Sequence, residues 1–440
     1  MKKKSFSDIL GDISEAGLAR MRKKAPEWAD TPGVEFPTRL ATEQCSSAAT
    51  ADYKSALVRR IRPGCRLLLD LTGGLGVDCA AFSKVSERVA YNEMDPVLEA
   101  AAERNFARLG INNVSFSCVE ATEETLPALT AEGPDIIFLD PARRSGSGRK
   151  VFLLEDCSPD VLRLKAGLLA AAPDILVKLS PMADISMVCK RLGPEVRELH
   201  VVGADGECKE ILAWLQRGWS GEATVVADDL RFTAKEEAEA LPRLLPTPAS
   251  IYNTTRNVTD NPVSGLSIEN SPDVLSPNSI LFEPAPVLLK AGCFNLLCER
   301  LNLYKFGLST HLYFTDTPSN TSSNIPSNIL ARYGKLFRIT YLLPFSNSSI
   351  KALGKSQPRC GVTARNLPIS SDSLASRLWP SVPKGARATD DDAHIFAFTA
   401  DFSDAPSQRL IAITRHLYLS LPSPSVFSPS PADSNFPPLP

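Results

Sequence analysis

Leu67-Leu-Leu-Asp-Leu-Thr-Gly-Gly-Leu-Gly-Val-Asp78 is the stretch that decides the fold. An apolar run of strand length meets a glycine-rich turn, and residues of helical pattern follow. Outward from it the same alternation repeats. Strands are expected at 66–71, 88–91, 114–118, 135–139, 175–179, 196–202 and 210–216. Helical pattern fills 78–85, 96–109 (stopped by Gly110), a weaker piece to Leu129, 158–171 and 185–192. Such β-α alternation predicts a doubly wound, Rossmann-like α/β fold: seven strands, largely parallel, with helices on both faces.

Glycines at the turn admit positive φ and let backbone approach a ligand closely. Two ligands use such a turn. A dinucleotide needs a helix N-terminus aimed at its pyrophosphate. S-adenosylmethionine (SAM) has no phosphate but carries a sulfonium and an amino-acid tail. The residue before the turn is Asp70, whose carboxylate suits an ammonium and would repel a pyrophosphate. Glu93, in Ala90-Tyr-Asn-Glu-Met-Asp95, lies about twenty residues past the turn, where an acid can bind ribose hydroxyls. Asp95 competes for that role but precedes Pro96, as a helix N-cap would. Glu120, in Ser117-Cys-Val-Glu-Ala-Thr122, could accept from an adenine amino group or sit solvated in its loop. The candidate cofactor set is Asp70, Thr72, Gly73, Gly74, Gly76, Asp78, Glu93 and Glu120, with SAM as the cofactor. The competing account of the turn is a purely structural corner.

The second signal is Asp135-Ile-Ile-Phe-Leu-Asp-Pro-Ala-Arg-Arg144. A loop after the fourth strand faces the methyl acceptor. Asp140 could hold or deprotonate an acceptor nitrogen or oxygen. Arg143 and Arg144 could clamp a phosphate or a base edge, or pair with acids such as Glu155 and Asp156. Asp140, Pro141, Arg143 and Arg144 form the candidate catalytic set. Ser145-Gly-Ser-Gly-Arg-Lys150 is a basic loop suited to a polyanionic substrate.

The chain has 440 residues, enough for two to four domains, and a net charge of −2. That charge excludes a wholly basic nucleic-acid binder but permits a local basic face. Ten cysteines occur without any CxxC pair, so no metal site is expected. The basic N-terminus lacks the apolar run of a signal peptide, and no stretch is long enough to cross a membrane. A cytoplasmic protein is expected.

The expected organisation is a helical region at 1–50, a methyltransferase domain at 51–245, and a Pro/Ser/Asn/Thr-rich linker at 246–279. A β-α-β element follows at 280–316, with strands at 280–282 and 311–314 around a helix at 287–301. A last small α+β module covers 329–418, with strands at 336–343, 360–364 and 394–399. The Pro/Ser-rich tail at 421–440 is expected to be disordered.

Several motifs together resemble a family of bacterial class I SAM-dependent methyltransferases with C-terminal ferredoxin-like and THUMP-like domains. They are DLTGGLGVD (70–78), LDPARR (139–144), GRKVFLLEDCSPDV (148–161), KLSPMADIS (178–186), VVGADGECKEI (201–211), FEPAPVLLKAGCFNLLCERLNL (282–303), THLYFTD (310–316) and VTARNLP (362–368). The resemblance covers about 51–232 and 280–400. It implies SAM binding at Asp70, Gly73, Gly74, Gly76 and Glu93. It assigns 280–316 to the ferredoxin-like element and 329–418 to the THUMP-like domain. It also implies an RNA substrate, tRNA or rRNA, by fold-level analogy.

The Asp-Pro-Ala-Arg loop offers no aromatic ring to stack a base, which disfavours the adenine amino chemistry of Asp/Asn-Pro-Pro-aromatic loops. Its form is closer to uracil-C5 methyltransferases, which need a cysteine after the fifth strand. Here Lys178-Leu-Ser-Pro-Met182 places Ser180 near that position, with Cys189 a few turns on. Cys208, in a polar turn between the last two strands, is a remoter candidate. Lys178 either faces the site or snorkels at its strand end. The leading reading is an RNA base methyltransferase. The alternatives are a protein or small-molecule acceptor, a non-catalytic RNA-binding protein that retains SAM, and lastly an NAD-dependent oxidoreductase.

Overall fold

In the computed structural model, which describes residues 17–143, 154–247, 279–316, 327–383 and 388–418, the deciding stretch forms β1 (Cys65–Asp70), buried at every residue but Arg66. The chain follows with β2 (Ser86–Asn92), β3 (Val114–Ser117), β4 (Ile136–Leu139), the two-residue strands β5 (Ala142–Arg143) and β6 (Cys157–Ser158), β7 (Asp174–Leu179), β8 (Val196–Ala204), β9 (Glu207–Gln216), β10 (Thr224–Ala227) and β11 (Leu230–Thr233). Nine of these make one sheet in the order β11-β10-β8-β9-β7-β4-β1-β2-β3, while β5 and β6 pair only with each other.

β1, β2, β3, β4 and β7 are mutually parallel neighbours, and β9 enters antiparallel between β7 and β8. Alternation along the strands sorts side chains onto two buried faces. Leu68, Phe138 and Leu176 pack on one face with Phe82, Phe106 and Trp28. Leu69, Ile137 and Ile175 pack on the other with Leu164, Leu168 and Val188. This is the expected α/β methyltransferase sheet with a correction: β10 and β11 extend seven strands to nine. Cys208 also lies within β9 rather than in the turn, which is Asp205-Gly206.

Helix starts follow their caps. Ser47 and Thr50 form a capping box for Ala48–Ile61, so this helix crosses the 50/51 boundary read from the sequence. Asp95 caps Pro96–Arg108 by accepting the Val97 N–H at 2.8 Å. Asp184 caps Ile185–Leu192. A short helix begins at Pro26, since proline is tolerated in a first turn.

The compact unit containing this sheet ends at Ala234, and a second begins at Lys235. The second unit is built on β12 (Ser279–Pro284), β13 (Tyr304–Lys305), β14 (Tyr313–Asp316), β15 (Gly334–Pro344), β16 (Gly361–Arg365), β17 (Ala393–Ala400) and β18 (Gln408–His416). Their order is β13-β14-β12-β15-β18-β17-β16. β12 pairs directly with β15, so strands from 280–316 and 329–418 share one sheet instead of forming two separate modules. The helix expected at 287–301 is two, Pro286–Ala291 and Leu296–Arg300, interrupted at Gly292, whose φ is 79°. The 421–440 tail, the side chains of Arg143 and Arg144, the 145–150 loop and most of the 246–279 linker lie outside the described residues. Among the described residues, no helix is long and apolar enough to cross a membrane.

Candidate active site

β1 pairs with β2 on one side and β4 on the other, and β2 pairs with β3. The carboxyl ends of these four strands therefore lie together at the reversal of strand order, where open α/β sheets bind ligands. Asp70 ends β1 and is 1% exposed. Its Oδ1 accepts the Thr72 N–H at 3.1 Å, but its buried Oδ2 has no hydrogen-bond partner. Burial pushes this carboxyl well above the usual carboxylate range; the Thr72 N–H opposes that, and the Asp78, Asp140 and Glu93 carboxylates add to it. A buried acceptor without a donor costs about 1–3 kcal/mol. A cationic donor would remove that cost, whereas an anionic ligand would increase it.

The glycine turn is shaped partly by packing. A Cβ on Gly73 would lie 2.0 Å from the Tyr91 ring, and one on Gly76 2.5 Å from the Phe106 ring. Gly74 differs: a Cβ there would meet only the Thr72 carbonyl, at 3.9 Å. Its carbonyl accepts the Tyr91 hydroxyl at 2.6 Å, and its N–H donates to Glu93 Oε2 at 2.8 Å. Glu93 Oε1 accepts the Asp95 N–H at 3.0 Å. Two backbone donors thus hold the Glu93 carboxylate against the turn. Its two oxygens retain lone pairs for further donors, such as ribose hydroxyls. Glu120 is exposed in the loop after β3.

Asn92 was missed in the sequence reading. Fully buried, it donates through Nδ2 to the carbonyls of Leu71 (3.2 Å) and Val119 (2.9 Å). Its Oδ1 accepts the Ser117 hydroxyl at 2.9 Å and the Val119 N–H at 3.2 Å. One side chain therefore ties the ends of β1, β2 and β3.

Asp140 follows β4. Its N–H donates to Thr72 Oγ1 at 2.6 Å, and its Oδ2 accepts from Lys178 Nζ at 2.5 Å. Lys178, near the end of β7, faces the site rather than snorkelling outward; its side chain is 11% exposed. Burial alone would lower its pKa, but the Asp140, Asp78 and Glu210 carboxylates outweigh burial and raise it. Pro141 is buried behind Asp140. Glu155 pairs with Arg191.

Asp78 has internal partners. Its Oδ2 accepts the Ser46 hydroxyl at 2.7 Å, and Lys54 Nζ lies 3.1 Å from its Oδ1. Lys54 is fully buried and also donates to Glu210 Oε1 at 2.6 Å. A signal for Lys54 existed: it shares the buried helix face of Ala51, Leu57 and Val58. The Cys189 thiol is not activated as a nucleophile. Burial pushes the Cys189 thiol up to about 11. Ser180 Oγ accepts the Met182 N–H at 3.2 Å. Among the described residues, no cluster of three or more His, Cys, Asp or Glu is arranged to hold a metal.

Near Asp70 lie the Asp78, Asp140 and Glu93 carboxylates, and among the described residues Lys54 pairs with Asp78 and Lys178 with Asp140. The unpartnered Oδ2 of Asp70 fits a cationic donor.

The chain has the α/β methyltransferase fold. It resembles the crystal structure of a protein assigned as a methyltransferase from Porphyromonas gingivalis W83, with a TM-score of 0.70 and 28% identity, covering 91% of this chain and 88% of that one. Two Mycobacterium tuberculosis proteins, from strains CDC 1551 / Oshkosh and ATCC 25618 / H37Rv, are each 30% identical to it over 209 residues, 48% of this chain. Both carry the name uncharacterized S-adenosylmethionine-dependent methyltransferase. The match spans 55% of each, about half the length of these curated relatives. A ferredoxin-like domain family matches residues 281–321, in the second unit.

Proposed function

We propose that the chain is a SAM-dependent methyltransferase whose acceptor is a base in a structured RNA, tRNA or rRNA. The observation that carries the cofactor half is the orphaned, buried Oδ2 of Asp70 at the reversal of strand order. In this reading Asp70 receives the cofactor's ammonium, Glu93 its ribose hydroxyls, and Glu120 its adenine amino group. Thr72, Gly73, Gly74 and Gly76 shape the wall between them, and Asp78 supports that wall from behind. The cofactor supplies an electrophilic methyl group on sulfur. Asp140 faces the acceptor, braced by Pro141, while Arg143 and Arg144 contact the substrate's phosphates or base edges. The names and the fold of the relatives support the same activity.

The RNA half rests on charge and on the THUMP-like resemblance of the last module. Residues 329–418 contain 12 Lys or Arg against 6 Asp and no Glu, although the whole chain carries −2. A cationic module attached to a mildly acidic enzyme suits capture of a polyanion.

The test is methyl transfer from labelled SAM to total RNA of the source organism lacking this protein, followed by nucleoside digestion and mass analysis. A labelled nucleoside is expected. SAM binding with no label in RNA would reassign the acceptor to a protein or small molecule, or leave a protein that binds SAM without using it.

A further inference from the structure

The Lys178–Asp140 pair has a consequence for the acceptor. Asp140 is fixed at three points. β4 delivers it, its N–H is bonded to Thr72 Oγ1, and its Oδ2 is bonded to the Lys178 ammonium at 2.5 Å. Lys178 cannot easily swing away, because its side chain is 11% exposed and the Asp78 and Glu210 carboxylates also attract it. Oδ1 of Asp140 has no hydrogen bond among the described residues, and the side chain is 37% exposed. The carboxylate is thus held through one oxygen, in one orientation, with Oδ1 unbonded among the described residues.

We infer that Lys178 is a positioning residue that locks Asp140 so that its Oδ1 holds the N–H of a nitrogen acceptor, which makes the substrate class a neutral nitrogen bearing hydrogen rather than a carbon or a hydroxyl. The inference rests on the SAM-dependent reading above. The chemistry balances without a prior deprotonation. The nitrogen lone pair forms the N–C bond as the C–S bond breaks, and that bond's electron pair stays on sulfur. The positive charge passes from sulfur to nitrogen, which then releases its proton to Asp140 Oδ1 and on to solvent. A hydroxyl acceptor would need a base during attack, and a carboxylate already sharing its electrons with an ammonium is poorly suited to that. A pyrimidine carbon would need a thiolate. The loop after β7 carries Ser180, whose oxygen already accepts the Met182 N–H, and the Cys189 thiol is pushed up to about 11.

The experiment compares full-length wild type, Lys178→Met, Lys178→Arg and Asp140→Asn, each checked for folding by circular dichroism. SAM affinity is read by calorimetry, and methyl transfer with labelled SAM and the total RNA described above. Lys178 reactivity toward acetic anhydride is read by peptide mass spectrometry. Lys178→Met should keep SAM affinity within about twofold and lose about a hundredfold in rate, the scale of a misplaced reacting group. Lys178→Arg should recover part of that loss, and the product should carry its methyl on nitrogen. Lys178 should acetylate slowly in wild type and faster in Asp140→Asn, a readout independent of turnover and of whether Lys178→Met folds. Equal acetylation in both proteins, an unchanged rate in folded Lys178→Met, or a methyl on carbon or oxygen would overturn the inference. Wild type that binds no SAM would overturn the reading beneath it instead.

Discussion

The Asp140 N–H donates to Thr72 Oγ1 at 2.6 Å, so the loop after β4 is tied to the glycine turn after β1. The two halves of the candidate site, one toward the cofactor and one toward the acceptor, are therefore one mechanical piece. Thr72→Val keeps the shape and removes the acceptor oxygen. It should lower stability modestly, by about 1 kcal/mol, and reduce methyl transfer by about tenfold, the equivalent of one hydrogen bond of about 1.4 kcal/mol. An unaltered rate would remove this link from the mechanism.

Asp70 should make the ligand-free protein sensitive to pH. Its folded carboxyl titrates above the unfolded value, so the folded state binds more protons over that interval. Stability from this group is present below the unfolded pKa and is lost as pH rises through the folded one. Asp70→Asn cannot titrate. The variant's stability advantage over wild type, read from urea midpoints, should grow as pH rises from about 4, the unperturbed Asp value. A difference that stays flat with pH would show that Asp70 has a partner in solution.

Lys54 is the buried cation between Asp78 and Glu210. Removing one partner from a buried charge group strands the others, at a cost of about 3–5 kcal/mol. Lys54→Met should therefore lower the melting temperature strongly. A variant as stable as wild type would show that the carboxylates already carry protons.

Gly73 and Gly74 should separate packing from conformation. Gly73→Ala drives a Cβ into the Tyr91 ring, with a cost of about 1–3 kcal/mol or more for overpacking. Gly74→Ala has open space and bears only the strain of its φ of 54°, about 1–2 kcal/mol. Denaturant midpoints should rank Gly73→Ala below Gly74→Ala. The opposite ranking would mean that the turn rearranges readily around Tyr91.

The parallel core of the sheet was legible because β1, β4 and β7 carry the apolar runs 67–69, 136–139 and 175–177, each ended by a charge. β10 and β11 were not, since four-residue strands such as Thr224–Ala227 carry too few positions to set a period. β18, inside the second sheet between β15 and β17, was missed for another reason. Leu410 to Thr414 is buried without interruption, and a strand covered on both faces shows no alternation. The division of 280–316 from 329–418 misled because the β12–β15 pairing is long-range and leaves no local trace. At the site, the carboxylates Asp70, Glu93 and Asp140 were visible as strand-end acids. Asn92 was not, since its work is done through hydrogen bonds to two segments distant in sequence, and Lys178 remained ambiguous until its partner was seen.

The most direct measurement is calorimetric titration of SAM, with NAD as control, into wild type and Asp70→Asn. Saturable binding of SAM but not NAD is predicted, with affinity at least about tenfold weaker in the variant, the scale of a lost charge-assisted hydrogen bond. SAM binding that is absent in wild type, or equal in the two proteins, would contradict the account.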